Sequence, residues 1–328
     1  MNDKVAQIAQ EILDGKIIDR AEIKYLFSLG DEDFDDLLYW ANRIREKFFG
    51  KKVKVCSIVP GRLGGCSQDC KFCAQSSRYE TSFKKTETLS DEEILRAAKK
   101  AKEKGVPNFG IVYSGKTISE EELARLEKLI AKIKNEIGIG VCGGFGIISY
   151  EQAARLKKAG MSRYNHNLET SRNHFKDIVT THDYDSRIET VKAAKKAGLG
   201  LCTGGLFGIG EEDCDRIDMA MELRELDVDM VPMNFLHPIA GTPLGELPTM
   251  QPRQILQLLA LYRFILPKVH IKAAGGRALN LRDMQSWIFY AGATAIISGD
   301  YLTTAGRAVE DDLRMIKDLG LEADVVCG

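Results

Sequence analysis

The feature that most constrains this sequence is a short cysteine-rich loop. Three of the eight cysteines, Cys66, Cys70 and Cys73, follow Gly64 and Gly65 in a C-x3-C-x2-C spacing. Thiolates are the usual ligands of iron–sulfur clusters, and a short loop can place three of them around one cluster. A 4Fe–4S cube is normally closed by four thiolates, so three would leave one iron open. The spacing therefore predicts a 4Fe–4S cluster with one open coordination position.

Two other interpretations of these cysteines are a zinc site and a disulfide. A structural zinc site usually carries a second C-x2-C or His pair at matched spacing, and none lies near the loop in the sequence. Disulfides are typical of small secreted chains, whereas these 328 residues begin without an apolar signal core. The sequence favours the cluster, and eight cysteines without a secretory signal predict a reducing, cytoplasmic location.

Charge and hydropathy limit the partners. The formal net charge is −1, so no basic excess indicates nucleic acid. No apolar run approaches the length of a transmembrane helix. We expect neither a nucleic acid nor a membrane as a partner.

Short strand-like runs alternate with helices from Val53 to the end of the chain. The predicted strands are 53–59, 108–113, 138–142, 162–168, 199–203, 230–235, 269–273 and 294–298. Capping boxes mark three intervening helices, at Ser90 with Glu93, Ser119 with Glu122, and Ser149 with Gln152. Eight such strands predict an α/β fold, a single (β/α)8 barrel of the TIM type. A doubly wound sheet is the alternative, but it normally has fewer strands, and no dinucleotide fingerprint opens the first helix.

The first fifty residues predict a helical extension ahead of the barrel. An apolar stripe begins at Val5, a second helix capped by Asp19 and Glu22 stops at Gly30, and a third begins at Asp31. We therefore predict three parts, which are an N-terminal helical extension at 1–50, the barrel at 51–300, and a C-terminal segment at 301–328 that packs on the barrel.

The inward faces of the predicted strands carry small and polar residues, although ordinary barrels are filled with bulky apolar ones. Side chains alternate between the two faces of a strand. By this alternation the inward residues are Cys56, Cys142, Asn165, Asn167, Glu169, Cys202, Asn234 and Lys272. Such an interior has room and polar contacts for a ligand, so we predict the active site in the lumen. His166 falls on the opposite face, and we expect it to be packed and hydrogen-bonded.

Several motifs resemble the biotin synthase family of the radical S-adenosylmethionine (SAM) superfamily. They are the cluster loop with its Gln-Ser-Ser-Arg-Tyr continuation, the Tyr-Asn-His-Asn-Leu-Glu block at 164–169, the Gly-rich run ending at Glu211, the Ala-Gly-Gly-Arg turn at 274–277 and Leu-Thr-Thr at 302–304. The resemblance implies sulfur insertion that converts dethiobiotin to biotin. In that family the first cluster reductively cleaves SAM to a deoxyadenosyl radical, and an auxiliary iron–sulfur cluster supplies sulfur.

The resemblance also implies residue roles. Cys66, Cys70 and Cys73 would bind the SAM cluster, and the neighbouring Phe72 could rest against adenine. Asn165, Asn167 and Glu169 would contact the SAM ribose and the substrate ureido group, although the family usually has Asp at position 169. Arg187 would face the SAM carboxylate, and Asn234 would bind the substrate. The alternatives are strand-end hydrogen bonding for the asparagines and an ordinary surface charge for Arg187.

The auxiliary cluster departs from the family pattern. Most relatives hold a 2Fe–2S cluster with three cysteines and an arginine, of which Cys142 and Cys202 match two. The third cysteine position is Gly110, and the arginine position is Lys272. Cys56, on the neighbouring strand, is the predicted third thiolate; its alternative role is a small buried hydrophobe, and Cys327 is the other candidate ligand.

Three thiolates suit a four-iron auxiliary cluster whose open iron holds an exchangeable sulfide, with a 2Fe–2S cluster as the alternative. Lys272 would offset the cluster charge without binding iron. Family resemblance implies flavodoxin or ferredoxin as the electron donor and a homodimer. Other functions left open are a different radical-SAM barrel enzyme, such as a hydrogenase-maturation or methylornithine enzyme, and a non-catalytic iron–sulfur protein.

Overall fold

The computed structural model describes residues 2–83 and 87–324. These residues form eleven strands: β1 (Lys52–Leu63), β2 (Glu87–Thr88), β3 (Asn108–Tyr113), β4 (Gly140–Gly144), β5 (Arg163–Asn165), β6 (Gly200–Cys202), β7 (Gly205–Phe207), β8 (Met230–Phe235), β9 (His270–Ala273), β10 (Ala295–Ile297) and β11 (Glu322–Asp324).

The same residues form thirteen α-helices: α1 (Asp3–Leu13), α2 (Arg20–Phe27), α3 (Phe34–Phe49), α4 (Asp91–Glu103), α5 (Glu120–Lys132), α6 (Tyr150–Lys158), α7 (Arg172–Ile178), α8 (Tyr184–Lys196), α9 (Asp213–Glu225), α10 (Pro252–Ile265), α11 (Arg277–Leu281), α12 (Trp287–Tyr290) and α13 (Val309–Asp318). None of the described helices is both long and apolar enough to cross a membrane.

Eight parallel strands close into a barrel. Their order is β1-β3-β4-β5-β6-β8-β9-β10, and β10 returns to pair in parallel with β1. A doubly wound sheet is open at its two edges, so this closure excludes that alternative. The (β/α)8 barrel with its N-terminal helices is confirmed.

All eight predicted wall strands are present; β3 and β8 have the predicted ends, and the other six are shifted at one or both ends. The strand expected at 138–142 runs from Gly140 to Gly144, because Gly138 takes a left-handed φ of 68° that ends the preceding helical turn. The strand expected at 162–168 is confined to Arg163–Asn165. The short strands β2, β7 and β11 were not predicted.

The predicted helix starts are confirmed. Ser90, Ser119 and Ser149 each form the expected capping box, and so does Asp19 at the start of α2. The second helix ends at Phe27, three residues before Gly30, and a 3-10 turn at Asp31–Asp33 leads into α3. The proposed division of the chain at residues 50 and 300 stays a prediction.

Two apolar regions lie on opposite sides of the barrel wall. The outward residues, such as Val53, Val55 and Ile111, belong to the continuous core between the strands and the helices. Inside the barrel, Cys202, Met230 and Ala295 form a separate small cluster. The wall therefore separates a stabilising core from an interior that serves other purposes.

A buried ionic network joins the end of the barrel to α13. Asp312 accepts from Arg277 Nη2 at 2.7 Å, from Ser298 Oγ at 2.8 Å and from Arg307 Nε at 3.1 Å. The side chains of Asp312 and Arg277 are both 0% exposed. A charge at such a depth is tolerated only while its partner is present.

We predict that Asp312→Asn destabilises the protein by about 3–5 kcal/mol, because the substitution leaves Arg277 as an uncompensated buried charge. Guanidinium unfolding at matched iron content measures the change. The control is Asp311→Asn on the same helix, which breaks an exposed pair with Arg314 and is expected to cost less than about 1 kcal/mol. Equal stability of the two variants would contradict the structural role of the network.

Candidate active site

The cluster loop begins where β1 ends and closes on itself. Gly64 and Gly65 take φ angles of 74° and 61°, in the left-handed region that favours glycine. Cys66 then pairs with the returning chain, because its N–H donates to Gln75 O at 3.0 Å and its carbonyl accepts Ser77 N at 2.8 Å. The loop is thereby held as a compact turn around the three cysteines.

One cavity of about 330 Å³ joins this loop to the barrel interior. The predicted site residues on its wall are Cys66, Cys70, Phe72, Cys73, Asn165, Asn167, Glu169, Arg187, Cys202, Asn234 and Lys272. Cys56 and Cys142 are buried and are not part of this wall. The structure thus brings together residues, such as Cys66 and Lys272, that are more than two hundred positions apart in the chain.

The three loop thiols suit a cluster better than a single metal ion. They form no disulfide. Within residues 2–83 and 87–324, no three His, Cys, Asp or Glu side chains converge as they would around one ion, so the geometry does not support a zinc site. Burial raises the pKa of Cys70, and it raises the pKa of Cys73 to about 11, so iron binding would have to displace protons from both thiols. Three free thiols on one cavity wall fit the donor set of a 4Fe–4S cluster.

Asp69 fastens the cluster loop to the segment before α8. Its carboxylate accepts Thr180 N at 2.9 Å, Thr181 N at 3.1 Å and Thr181 Oγ1 at 2.9 Å. The backbone adds a hydrogen bond of 3.1 Å from Lys71 N to Ile178 O. Burial raises the pKa of Asp69, but hydrogen bonds from both threonines outweigh it and hold the pKa well below its ordinary value. The two segments form one unit beside the cavity.

Arg187 is part of the cavity wall. Arg187 is only 8% exposed, so the alternative interpretation of this residue as an ordinary surface charge is wrong. The guanidinium Nη1 donates to Asn167 O at 2.7 Å and to Glu169 Oε1 at 3.4 Å. A buried, fixed guanidinium is suited to binding a carboxylate of a ligand.

Glu169 occupies a different position from the one the strand pattern predicts. Its φ of 71° is left-handed and β5 already ends at Asn165, so the strand face of Asn165 does not extend to Glu169. Glu169 nevertheless lies on the cavity wall. Burial raises the pKa of Glu169, while Arg187 and the Asn167 amide act to lower it. Backbone strain at a non-glycine residue is often found at functional sites.

The asparagines differ in how they are engaged. The buried Oδ1 of Asn165 has no hydrogen-bond partner among the described residues, which fits a group that awaits a ligand. Asn234 instead donates to Gly205 O at 3.1 Å and accepts from Gly275 N at 2.9 Å. The strand-end alternative therefore holds for Asn234, although its side chain also lines the cavity.

His166 was expected to be packed and hydrogen-bonded on the far face of its strand. It is buried, but it lies on the cavity wall, and its Nε2 has no partner within the described part of the chain. Burial lowers the pKa of His166 well below its ordinary value, and the nearby Arg187 adds to this. The expectation of a hydrogen-bonded ring is therefore wrong, because the strand ends at Asn165 and the face alternation no longer applies.

Four buried side chains form one layer across the barrel: Cys56, Cys142, Cys202 and Lys272. They come from β1, β4, β6 and β9, which are every second strand of the wall. Cys142 lies two residues beyond Gly140, the β4 residue that is in register with Cys56 through β3. The same offset of two residues leads from Cys142 to Cys202 and from Cys202 to Lys272. Where the barrel closes, it leads from Lys272 back to Cys56. Two residues for two strands is the stagger of a barrel of shear 8, in which alternate strands supply each interior layer. The four side chains therefore share one height in the lumen.

Charge couples the members of this layer. Lys272 Nζ lies 3.2 Å from Cys202 Sγ. Burial lowers the pKa of Lys272, but the thiols of Cys202, Cys56 and Cys142 outweigh it and raise the pKa above its ordinary value. Burial raises the pKa of Cys142 to about 11, and the neighbouring Cys56 adds to this. A buried ammonium among three free thiols is suited to an anionic group bound between them.

The family models and the full-length relatives agree on one family. The Radical SAM superfamily model matches residues 61–223, and the Biotin and Thiamin Synthesis associated domain matches residues 232–322. The biotin synthase of Geotalea uraniireducens (strain Rf4) is 44% identical over 328 residues, which is 100% of both chains. That of Clostridium tetani (strain Massachusetts / E88) is 43% identical and covers 99% of this chain and 100% of the relative.

This chain belongs to the biotin synthase family. It is a radical-SAM enzyme, and that class implies a 4Fe–4S cluster and SAM as cofactors.

Solved structures of other proteins share the fold with this biotin synthase family member. Methylornithine synthase matches with a TM-score of 0.83 at 21% identity, over 97% of each chain. The FeFe-hydrogenase maturase HydG from Carboxydothermus hydrogenoformans matches with a TM-score of 0.82 at 20% identity, over 98% of this chain and 80% of that one. At such identities the likeness shows the fold alone.

Gln68 and His182 are among the polar residues of this biotin synthase family site that sequence reasoning missed. Gln68, inside the cluster loop, and His182, just before α8, both line the cavity and contact each other. Of the two, only His182 had a signal in the sequence, which is its position just ahead of α8 and five residues before Arg187. Their contact joins segments 114 residues apart, and no local pattern reports such a pairing.

Proposed function

We propose that this protein is a biotin synthase that inserts sulfur into dethiobiotin, with the sulfur supplied by an auxiliary cluster. The observation that carries the proposal is a single cavity whose wall includes the three loop cysteines and, deeper in the barrel, Cys202 and Lys272. A non-catalytic iron–sulfur protein has no need of a cavity that extends from the loop thiols to Cys202 and Lys272. The full-length similarity to biotin synthases supports the substrate.

The roles of the residues follow from their positions. When bound, the 4Fe–4S cluster and SAM supply the radical that removes hydrogen from the substrate. Cys66, Cys70 and Cys73 hold that cluster. Arg187 orients the SAM carboxylate, and Phe72 contacts the adenine ring.

The polar wall receives the ribose and the substrate ureido group through Asn165, Asn167 and Glu169. The free Oδ1 of Asn165 supports this role. A second cavity of about 270 Å³ shares Asn167, Glu169 and Asn234 with the first and extends to Thr303. Two adjoining cavities suit two small molecules bound side by side. Asn234 contributes mainly by holding Gly275 and β7 in place.

The auxiliary cluster is bound by Cys56, Cys142 and Cys202. The layer geometry supports Cys56 as the third ligand, since β1 places Cys56 at the same height in the lumen as Cys142 and Cys202. Three thiolates suit a four-iron cluster with an exchangeable sulfide on the open iron, and Lys272 balances the charge through its contact with Cys202. Cys327, the other candidate, lies outside the described residues. The proposal further includes flavodoxin or ferredoxin as the electron donor, a homodimer and a cytoplasmic location.

Anaerobic reconstitution tests the function. Fully loaded protein is expected to hold about eight irons per chain, four in each of two clusters. With SAM, a reductant and dethiobiotin, it is expected to form deoxyadenosine and biotin. Deoxyadenosine formation that responds to another small substrate, but not to dethiobiotin, would reject biotin synthesis and retain the radical-SAM class.

Cys70→Ala is expected to abolish SAM cleavage, because two remaining thiolates cannot hold a four-iron cluster with one open iron. Deoxyadenosine release by the reconstituted variant is the measurement. Cys214→Ala is the matched control, since Cys214 is an exposed cysteine on α9. Deoxyadenosine formation at the unmutated rate in Cys70→Ala would overturn the assignment.

Cys56→Ala is expected to remove the second cluster and biotin formation while sparing the first cluster and SAM cleavage. The iron content should fall by about half, as four of eight irons are lost. Iron and sulfide counts, together with deoxyadenosine and biotin yields, measure the outcome. A variant that retains both clusters and still forms biotin would exclude Cys56 and favour Cys327.

A further inference from the structure

A chain of three polar side chains links the cluster loop to Arg187. His182 Nδ1 lies 2.9 Å from Gln68 Oε1, and Arg187 Nε lies 3.2 Å from His182 Nε2. Since an arginine Nε–H only donates, His182 Nε2 accepts, and the ring proton stays on Nδ1, where it donates to Gln68. All three side chains lie on the wall of the 330 Å³ cavity.

This arrangement fixes the guanidinium from two sides. Nε is held by His182, and Nη1 is held by Asn167 O at 2.7 Å. Nη2 has no hydrogen-bond partner among the residues that the structure describes. Arg187 thus keeps the two N–H groups of Nη2 for a ligand and cannot turn without losing its other hydrogen bonds.

The environment keeps His182 in the required state. Burial lowers the pKa of His182 to about 4, and the charges of Arg187 and Lys116 contribute to this. The ring is therefore neutral at physiological pH and can accept from Arg187. Phe175 packs against it edge to face, with ring centroids 5.6 Å apart, which limits its rotation.

We propose that His182 is a positioning residue for SAM: it aims Arg187 at the SAM carboxylate and ties that contact to the cluster loop through Gln68. This inference rests on the proposed function only as far as SAM binding. The Asp69 contacts with Thr180 and Thr181 hold the loop and His182 as one unit. The loop that holds the cluster and the side chain that orients the cofactor are thereby set in one geometry.

The test compares SAM with decarboxylated SAM. Reconstituted protein without reductant cleaves no SAM, so equilibrium dialysis measures binding alone. His182→Phe removes both hydrogen bonds and retains an aromatic ring, and it is expected to weaken SAM binding about tenfold, as for the loss of one hydrogen bond to a charged group. Binding of decarboxylated SAM is expected to be unchanged, because it lacks the group that Arg187 contacts.

Three further variants sharpen the result. His182→Gln has an amide NH2 that can donate and a carbonyl oxygen that can accept, and it is expected to restore most of the SAM affinity. Gln68→Leu acts through the same chain, so combining it with His182→Phe should weaken binding no further than His182→Phe alone. His174→Phe, on α7 outside the cavity, is the matched control and should bind SAM normally.

Each outcome decides a separate question. Equal losses for SAM and decarboxylated SAM, or a lower iron content in His182→Phe, would show a merely structural histidine and overturn the inference. Unchanged SAM affinity in His182→Phe at full iron content would overturn it as well. Failure of the unmutated, reconstituted protein to bind SAM would instead reject the proposed function.

Discussion

The pairing of β1 with β10 is the constraint on which the rest of the site depends. It brings the first and last wall strands together, so that Cys56 on β1 and Lys272 on β9 lie on either side of β10 and face the same lumen. Because side chains alternate along a strand, a slip of one residue in this pairing would turn Cys56 outward into the helix-packed core. The closure also fixes the shear, and the shear decides which residues share a height. An open sheet with the same strands would leave these two residues at opposite edges and form no chamber.

Within the closed barrel, electrostatics determines what the lower lumen can hold. Burial of a lone ammonium is strongly unfavourable, and so is burial of a lone thiolate. The charged forms of Lys272 and of the three cysteines therefore depend on each other for stabilisation. The 3.2 Å contact between Lys272 and Cys202 provides part of this stabilisation within the protein itself. At the cluster loop the balance differs, because burial raises the pKa of Cys70 and of Cys73, while the charge of Arg187 acts to lower that of Cys70. The two groups of thiols therefore differ in charge environment as well as in position, which suits one cluster that binds a cationic cofactor and another that carries an anionic sulfide.

Much of this architecture was predictable because it follows from local periodicity. The strands, the capping boxes and the inward parity of Cys142, Cys202 and Lys272 are each fixed by residues within a few positions of one another. The rest could not be predicted, because it arises from contacts between distant segments. The left-handed backbone at Glu169 depends on its bridge to Gly205, and the engagement of Asn234 depends on Gly275. The contact of Gln68 with His182 spans 114 residues and leaves no periodic trace.

The family resemblance implies a cysteine at position 110, where this chain has glycine, and the proposed replacement of that ligand by Cys56 has a geometric meaning. Gly110 lies on β3, in register with Cys142 on β4, so it belongs to the next layer up, together with Asn165, Pro232 and Ile297. A Cβ at Gly110 would stand 3.3 Å from Cys142 Sγ, so a thiol there would crowd one side of the lumen. Cys56 instead places the third thiol on the next-but-one strand and at the height of the other two. The backbone positions of the three cysteines and Lys272 are then spread evenly around the barrel, each about 9.6 Å along the wall from the next, from two strand spacings of ~4.8 Å. An even spread enlarges the space between the ligands, and that is the physical reason to expect a cluster larger than two irons.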